Sequence, residues 1–209
     1  MDYRQMSCGD FIEAVAGSAP TPGGGGASAY VGAVGMALGN MVGSLTRGKP
    51  KYQAVEADII ALQQQADALQ QQLLDLVAKD AEVFMPLSRA YALPKDTEEQ
   101  CRYKAIIMEA ALVEACSVPL EIMEKCAAAI LLHQQFAAKG SAIAISDVGV
   151  GVAVCEAALK GASLNVFINT KSMTDREEAS RLTAQAQSLL AQYCPLAQKI
   201  FMDVWARFL

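Results

Sequence analysis

Apolar residues recur at three- and four-residue steps along nearly the whole chain, and no stretch alternates apolar and polar positions as a half-buried strand does. The clearest run is Val55, Ile59, Leu62, Ala66, Leu69, Leu73, Leu76 and Val77, with glutamines on the opposite side. It predicts a long helix from about Tyr52, continuing through Phe84 and Leu87 with a kink at Pro86, until Leu93 and Pro94 break it. Upstream, Ser7 and Asp10 form a capping pair before Phe11, Ile12 and Val15, which predicts a short first helix. Pro20, Pro22 and the run Gly23, Gly24, Gly25 and Gly26 read as a loop. A second helix is expected over 27–45, ended by Arg47-Gly48-Lys49-Pro50. Thr97 and Gln100 make a capping box for a fourth helix that bends near Pro119 and runs to about Lys139, with Gly140 just past its end. A connector over 141–146 leads to a fifth helix, starting near Ser146 or Asp147 and reaching Thr170. Thr174 with Glu177 is the expected cap of a sixth, kinked or restarted at Pro195. Residues 164–168 are apolar enough for a strand, but no other segment offers it a partner. The expectation is an all-α fold, a multihelical bundle of about six helices, several long and kinked, in a single domain over 1–209.

Composition narrows what such a bundle can do. Hydrophobic residues are 53% of the 209 and charged ones 19%, which excludes a disordered chain and suffices for a large core. A net charge of −5 argues against a general nucleic-acid binder, which needs a basic face, so no nucleic-acid partner is expected. One His, and six Cys with no two in a C-x-x-C pair, leave little to build a metal site from. Any chemistry is therefore expected to be metal-free. Thiols in apolar surroundings, and a start without a basic and then apolar leader, point to the cytoplasm. Residues 14–46 carry no charge, and 27–45 approach the length of a bilayer span. That stretch is built from Gly, Ala and Ser and contains Asn40, so a helix buried in a soluble bundle is expected, with no membrane partner.

The glycine run is neither a Walker A loop, lacking Gly-Lys-Ser/Thr, nor a dinucleotide fingerprint, lacking a preceding strand. Four glycines at a helix start expose N–H groups to a ligand; a flexible connector is the alternative. Gly32, Gly35, Gly39 and Gly43 form a stripe that suits close packing, including a crossing with a second copy in a symmetric dimer. Arg47, Lys49 and Lys51 are either a solvated turn at a helix C-terminus or a site for carboxylates. Asp80 and Glu82 lie two apart in a mostly apolar helix and so point to different faces. Asp147 suits an N-cap or first turn. Asn165 and Asn169 share one face of an apolar run and need partners from protein or ligand. The lone His133 reads as structural.

Taken in order, several segments resemble one family. Phe11-Ile12-Glu13-Ala14-Val15-Ala16 and Pro20-Thr21-Pro22-Gly23-Gly24-Gly25-Gly26 resemble the opening of the cyclodeaminase/cyclohydrolase family. Leu45-Thr46-Arg47-Gly48-Lys49-Pro50-Lys51-Tyr52, Asp80-Ala81-Glu82-Val83-Phe84, Ser146-Asp147-Val148-Gly149-Val150 and Gly161 through Asn169 resemble its later segments. The resemblance implies an all-helical homodimer that binds a reduced folate, polyglutamylated forms included, with no metal or other cofactor. It implies formiminotetrahydrofolate cyclodeaminase activity, yielding 5,10-methenyl-tetrahydrofolate and ammonia, with methenyltetrahydrofolate cyclohydrolase as the alternative. A folate-binding helical protein without catalysis, and a helical interaction module without folate, are the non-enzymatic alternatives. The implied catalytic residues are Asp80, Asp147 and Glu82. The implied substrate-binding residues are Pro22, Gly23, Gly24, Gly25, Gly26, Arg47, Lys49, Lys51, Asn165 and Asn169. Of the acids, Asp147 has a competing helix-end role and Asp80 has none.

Overall fold

A computed structural model describes residues 3–209, which form six α-helices joined by short turns and 3₁₀ segments. The helices are α1 Cys8–Ala16, α2 Gly24–Ser44, α3 Glu56–Tyr91, α4 Glu98–Lys139, α5 Ile145–Ser172 and α6 Arg176–Trp205. No strand occurs among the described residues; 164–168 lie within α5.

The ends of the helices follow from local chemistry. Ser7 caps α1 by accepting from the Asp10 N–H. The Thr97–Gln100 capping box opens α4 with both reciprocal bonds formed. Lys104 donates to the Tyr91 and Leu93 carbonyls, each at 2.7 Å, and so fixes the end of α3. The cap of α6 is Asp175 rather than Thr174: the Asp175 carboxylate accepts from the Glu177 and Glu178 N–H groups. Thr174 instead hydrogen-bonds Glu109 of α4. Pro86, Pro119 and Pro195 lie inside α3, α4 and α6 without ending them.

The glycine run departs furthest from the sequence reading. Gly24, Gly25 and Gly26 are the first turn of α2, with Gly23 as its cap, and not a loop. What holds them helical is a packed partner at the helix start, described below.

α2 lies at the centre, packed against α3 and antiparallel to α5, with α4 behind both and α6 on the far side of α5. Its glycine stripe faces this chain's own core. A β-carbon added at Gly32 would meet the Cys126 sulfur at 3.0 Å, one at Gly35 the Gly151 carbonyl at 2.9 Å, and one at Gly39 the His133 ring at 3.0 Å. The crossing with a second copy expected of this stripe is thereby corrected, because α3, α4 and α5 occupy it. Met36, Leu73, Ile122, Met123, Ile130 and Leu159 fill the core beneath. Among the described residues one span, Ala142–Ser172, is long and apolar enough to cross a membrane, at a mean hydropathy of 1.8, and half of that window is buried in the bundle.

Candidate active site

At the N-terminal end of α2 a cleft opens between α2, α3, α4 and α5. Asp80 of α3 lies in its wall, 9% exposed, and its Oδ2 accepts the Gly26 N–H at 2.8 Å. This places a carboxylate at a helix N-terminus, where free N–H groups and the helix dipole favour negative charge. The close approach needs glycine: a β-carbon on Gly25 would stand 2.6 Å from the Asp80 Cγ, inside its carboxylate. Burial pushes the Asp80 carboxyl up to about 6, and the Gly26 hydrogen bond pulls only partly back. Such a group exchanges protons near neutral pH.

The rest of the wall is mostly apolar. Val83 and Phe84 follow Asp80 at the three- and four-residue helical steps, Ala115 and Pro119 come from α4, and Ile168 comes from α5. Asn165 and Asn169 contribute the polar side. Asn169 donates to the Ala115 carbonyl at 3.1 Å and Asn165 to the Gly161 carbonyl at 3.1 Å, so both amides are anchored. The Asn165 amide lies 3.5 Å from where a Gly24 β-carbon would be. Gly23, Gly24 and Gly25 line the cleft with Pro20 and Thr21. Pro22 is buried behind them, 3.8 Å from the β-carbon position of Gly26.

Other expected site residues do not reach this cleft. Glu82 is exposed, because two residues carry the chain about 200° around α3 from Asp80. Asp147 sits in the first turn of α5, whose other end carries Asn165 and Asn169; at 1.5 Å per residue the separation is roughly 27 Å. Asp147 is not the cap, which is Ala144 and has no side-chain bond. Arg47, Lys49 and Lys51 follow the C-terminus of α2, roughly 30 Å from its first turn. Arg47 reaches Gln63 of α3 at 3.4 Å, and Lys51 stands 5.6 Å from the Tyr52 ring centroid. The Ser141 N–H donates to Thr46 and the Ala142 N–H to the Tyr52 hydroxyl, which ties the start of α5 to this basic loop.

The expected residues thus fall into two groups at opposite ends of the α2–α5 pair. Sequence reasoning missed Val83, Phe84, Ala115, Pro119 and Ile168. Helical spacing from Asp80 carried a signal for the first two, and nothing local marked the others.

Fold and cleft together define an all-helical protein with one buried, proton-exchanging acid at a glycine-built helix start. The formiminotransferase-cyclodeaminase family model matches residues 7–188. The chain is 41% identical to a methenyltetrahydrofolate cyclohydrolase of Methylorubrum extorquens, over 93% of each. It is 32% identical to a formimidoyltransferase-cyclodeaminase of Mus musculus, over 94% of this chain but only 36% of that protein. A formiminotetrahydrofolate cyclodeaminase of known structure from Thermotoga maritima superposes with a TM-score of 0.87 at 27% identity, over 99% of each chain. The chain belongs to the formiminotransferase-cyclodeaminase family.

Proposed function

We propose that the chain is a one-carbon folate enzyme in which Asp80 moves the proton at the carbon joining N5 and N10 of tetrahydrofolate. The observation that carries this is the buried Asp80 carboxyl, raised to about 6 in the wall of a largely apolar cleft. In the cyclodeaminase reaction N10 attacks the carbon of the protonated formimino group attached to N5. The N10 proton passes by way of Asp80 to the departing nitrogen, and ammonia leaves 5,10-methenyl-tetrahydrofolate behind. In the cyclohydrolase reaction water attacks the methenyl carbon. Asp80 accepts a proton from that water and returns it to N5 as the C–N5 bond breaks; the remaining hydroxyl proton is released to solvent as the formyl carbonyl forms, giving 10-formyl-tetrahydrofolate. One carboxyl group of intermediate pKa serves both. The apolar wall of Phe84, Val83 and Pro119 suits the flat pterin ring, and Asn165 and Asn169 suit its polar edge.

The solved cyclodeaminase neighbour supports the first reaction, and the cyclohydrolase relative of matching length and 41% identity supports the second. Absorbance of methenyl-tetrahydrofolate reports both, rising in the first and falling in the second. Purified protein offered each substrate in parallel should give one of these changes, and no change with either would remove the reading. We further propose that the enzyme acts in the cytoplasm as a homodimer, that Arg47, Lys49 and Lys51 take the carboxylates of a glutamate tail, and that no metal or cofactor is needed. The last rests on the single His and the absence of ligand-spaced Cys in the sequence. Activity should survive dialysis against a strong chelator; loss restored by zinc would overturn that part.

A further inference from the structure

Pro119 stands inside α4 and has no N–H, so the carbonyl four residues before it, that of Ala115, receives no helical hydrogen bond. Ala115 is buried, and a buried carbonyl without a partner is costly. The partner comes from another helix. Asn169 of α5 donates to the Ala115 carbonyl through Nδ2 at 3.1 Å. A carbonyl only accepts, so this bond admits one orientation of the carboxamide, with Nδ2 toward α4 and Oδ1 turned away. Ala115, Pro119 and Asn169 all line the cleft. The Cys116 thiol stands beside the same amide, but its one hydrogen goes to the Val166 carbonyl at 3.8 Å. No donor among the described residues takes the Asn169 Oδ1, which leaves that oxygen to the cleft. Asn165 differs, because its Nδ2 bonds the Gly161 carbonyl one turn back on its own helix.

We propose that Pro119 is a positioning residue: by withholding an N–H from the Ala115 carbonyl it reserves that carbonyl for Asn169, whose Oδ1 is thereby presented as an acceptor to a ligand edge that donates. This rests on the folate reading of the cleft. A reduced pterin has such an edge in its 2-amino group and N3–H, across the ring system from N5. The ring turned over would set its carbonyl oxygen against the Asn169 oxygen, and two acceptors so placed repel. Holding the donor edge at Asn169 leaves the N5 side of the ring for Asp80. Any other residue at position 119 restores an N–H that competes for the Ala115 carbonyl and lets the carboxamide turn.

The test is a double-variant cycle of Pro119→Ala and Asn169→Leu, read in three ways. By NMR of labelled protein, the Asn169 side-chain N–H should exchange at least tenfold faster in Pro119→Ala than in wild type. By melting, Asn169→Leu leaves the Ala115 carbonyl unpaired and should lower the thermal midpoint by about 3 °C or more. Pro119→Ala should then raise the midpoint more in the Asn169→Leu background than in wild type, because the new N–H takes the vacated carbonyl. By binding of 5-formyl-tetrahydrofolate, which does not turn over, each single variant should weaken Kd by about fivefold or more. The double variant should bind within about twofold of Asn169→Leu alone. Losses that multiply would make Pro119 a wall contact only and overturn the proposal. Unchanged exchange, or equal midpoint shifts in the two backgrounds, would overturn it as well. If wild-type protein binds no reduced folate, the folate reading fails and the ligand half of the proposal falls with it. Exchange and melting then still decide whether Pro119 reserves the carbonyl for Asn169.

Discussion

Asp80 carries its charge in a wall of Val83, Phe84 and Ala115, with one backbone N–H to compensate it. Folding therefore raises its pKa from 3.8 to about 6, and the folded state holds this proton more tightly than the unfolded chain does. Its contribution favours folding fully below about pH 4 and is lost as pH rises through about 6; above that, the buried charge opposes folding. Asp80→Asn keeps an oxygen for the Gly26 N–H and removes the charge. It should raise the thermal midpoint at pH 8, by about 2–3 kcal/mol of stability, and change little at pH 4. Its kcat should fall by about 10²–10⁴. With Asp80 as proton acceptor, wild-type kcat/KM should decline as pH drops through about 6; a flat acid limb between pH 7 and pH 5 would count against that role. Gly25→Ala tests the same contact from the other side. Its methyl group overlaps the Asp80 carboxylate, so it should cost about 1–3 kcal/mol and most of the activity, measured by thermal melting and turnover.

Among the helices, α2, α4 and α5 pack closely where Gly35, Gly39, Gly151 and His133 meet. His133 is fully buried, its Nδ1–H donating to the Ala129 carbonyl at 2.8 Å and its Nε2 without a hydrogen-bond partner. Burial lowers its pKa, so the unfolded chain takes up the proton first. Stability should therefore fall as pH drops below the ordinary histidine value of 6.5, opposing the trend from Asp80. Melting His133→Gln and Asp80→Asn from pH 8 to pH 4 separates the two. The first should flatten the loss below pH 6.5, and the second should remove the opposing gain. Gly151→Ala drives a methyl group into the His133 ring and should destabilise by more than 1 kcal/mol. Most of the helices were legible from spacing and caps: Ser7, the Thr97–Gln100 box and the Val55-to-Val77 run each act within a few residues. The start of α2 was not. Gly24, Gly25 and Gly26 have poor helix propensity, and what stabilises them as a helix start is Asp80, 54 residues from Gly26 along the chain. Asp175 displaced Thr174 as a cap for a similar reason, since Glu109 of α4 claims Thr174.

For the whole molecule, only part of the cleft was legible as residues, and none of it as an arrangement. Asp80, the glycines, Asn165 and Asn169 do meet, because α2 and α5 run antiparallel and α3 crosses their shared end. Asp147 and the basic loop lie at the opposite end, and nothing in the local spacing separates them from the residues of the cleft. That loop yields a further prediction. Lys49→Ala should raise KM more for a polyglutamylated folate than for the monoglutamate, with the difference shrinking as salt screens the charges. Equal effects on both would reduce the loop to a solvated turn. The central claim of the account is that Asp80 is the group that moves the proton. The most direct test is kcat of Asp80→Asn on methenyl- and formimino-tetrahydrofolate, followed by absorbance at saturating substrate, with circular dichroism and a folate-analogue binding curve taken on the same sample. The account predicts a folded protein that binds the analogue near wild-type affinity and has lost at least a hundredfold in kcat. A folded variant with near-wild-type kcat would contradict it.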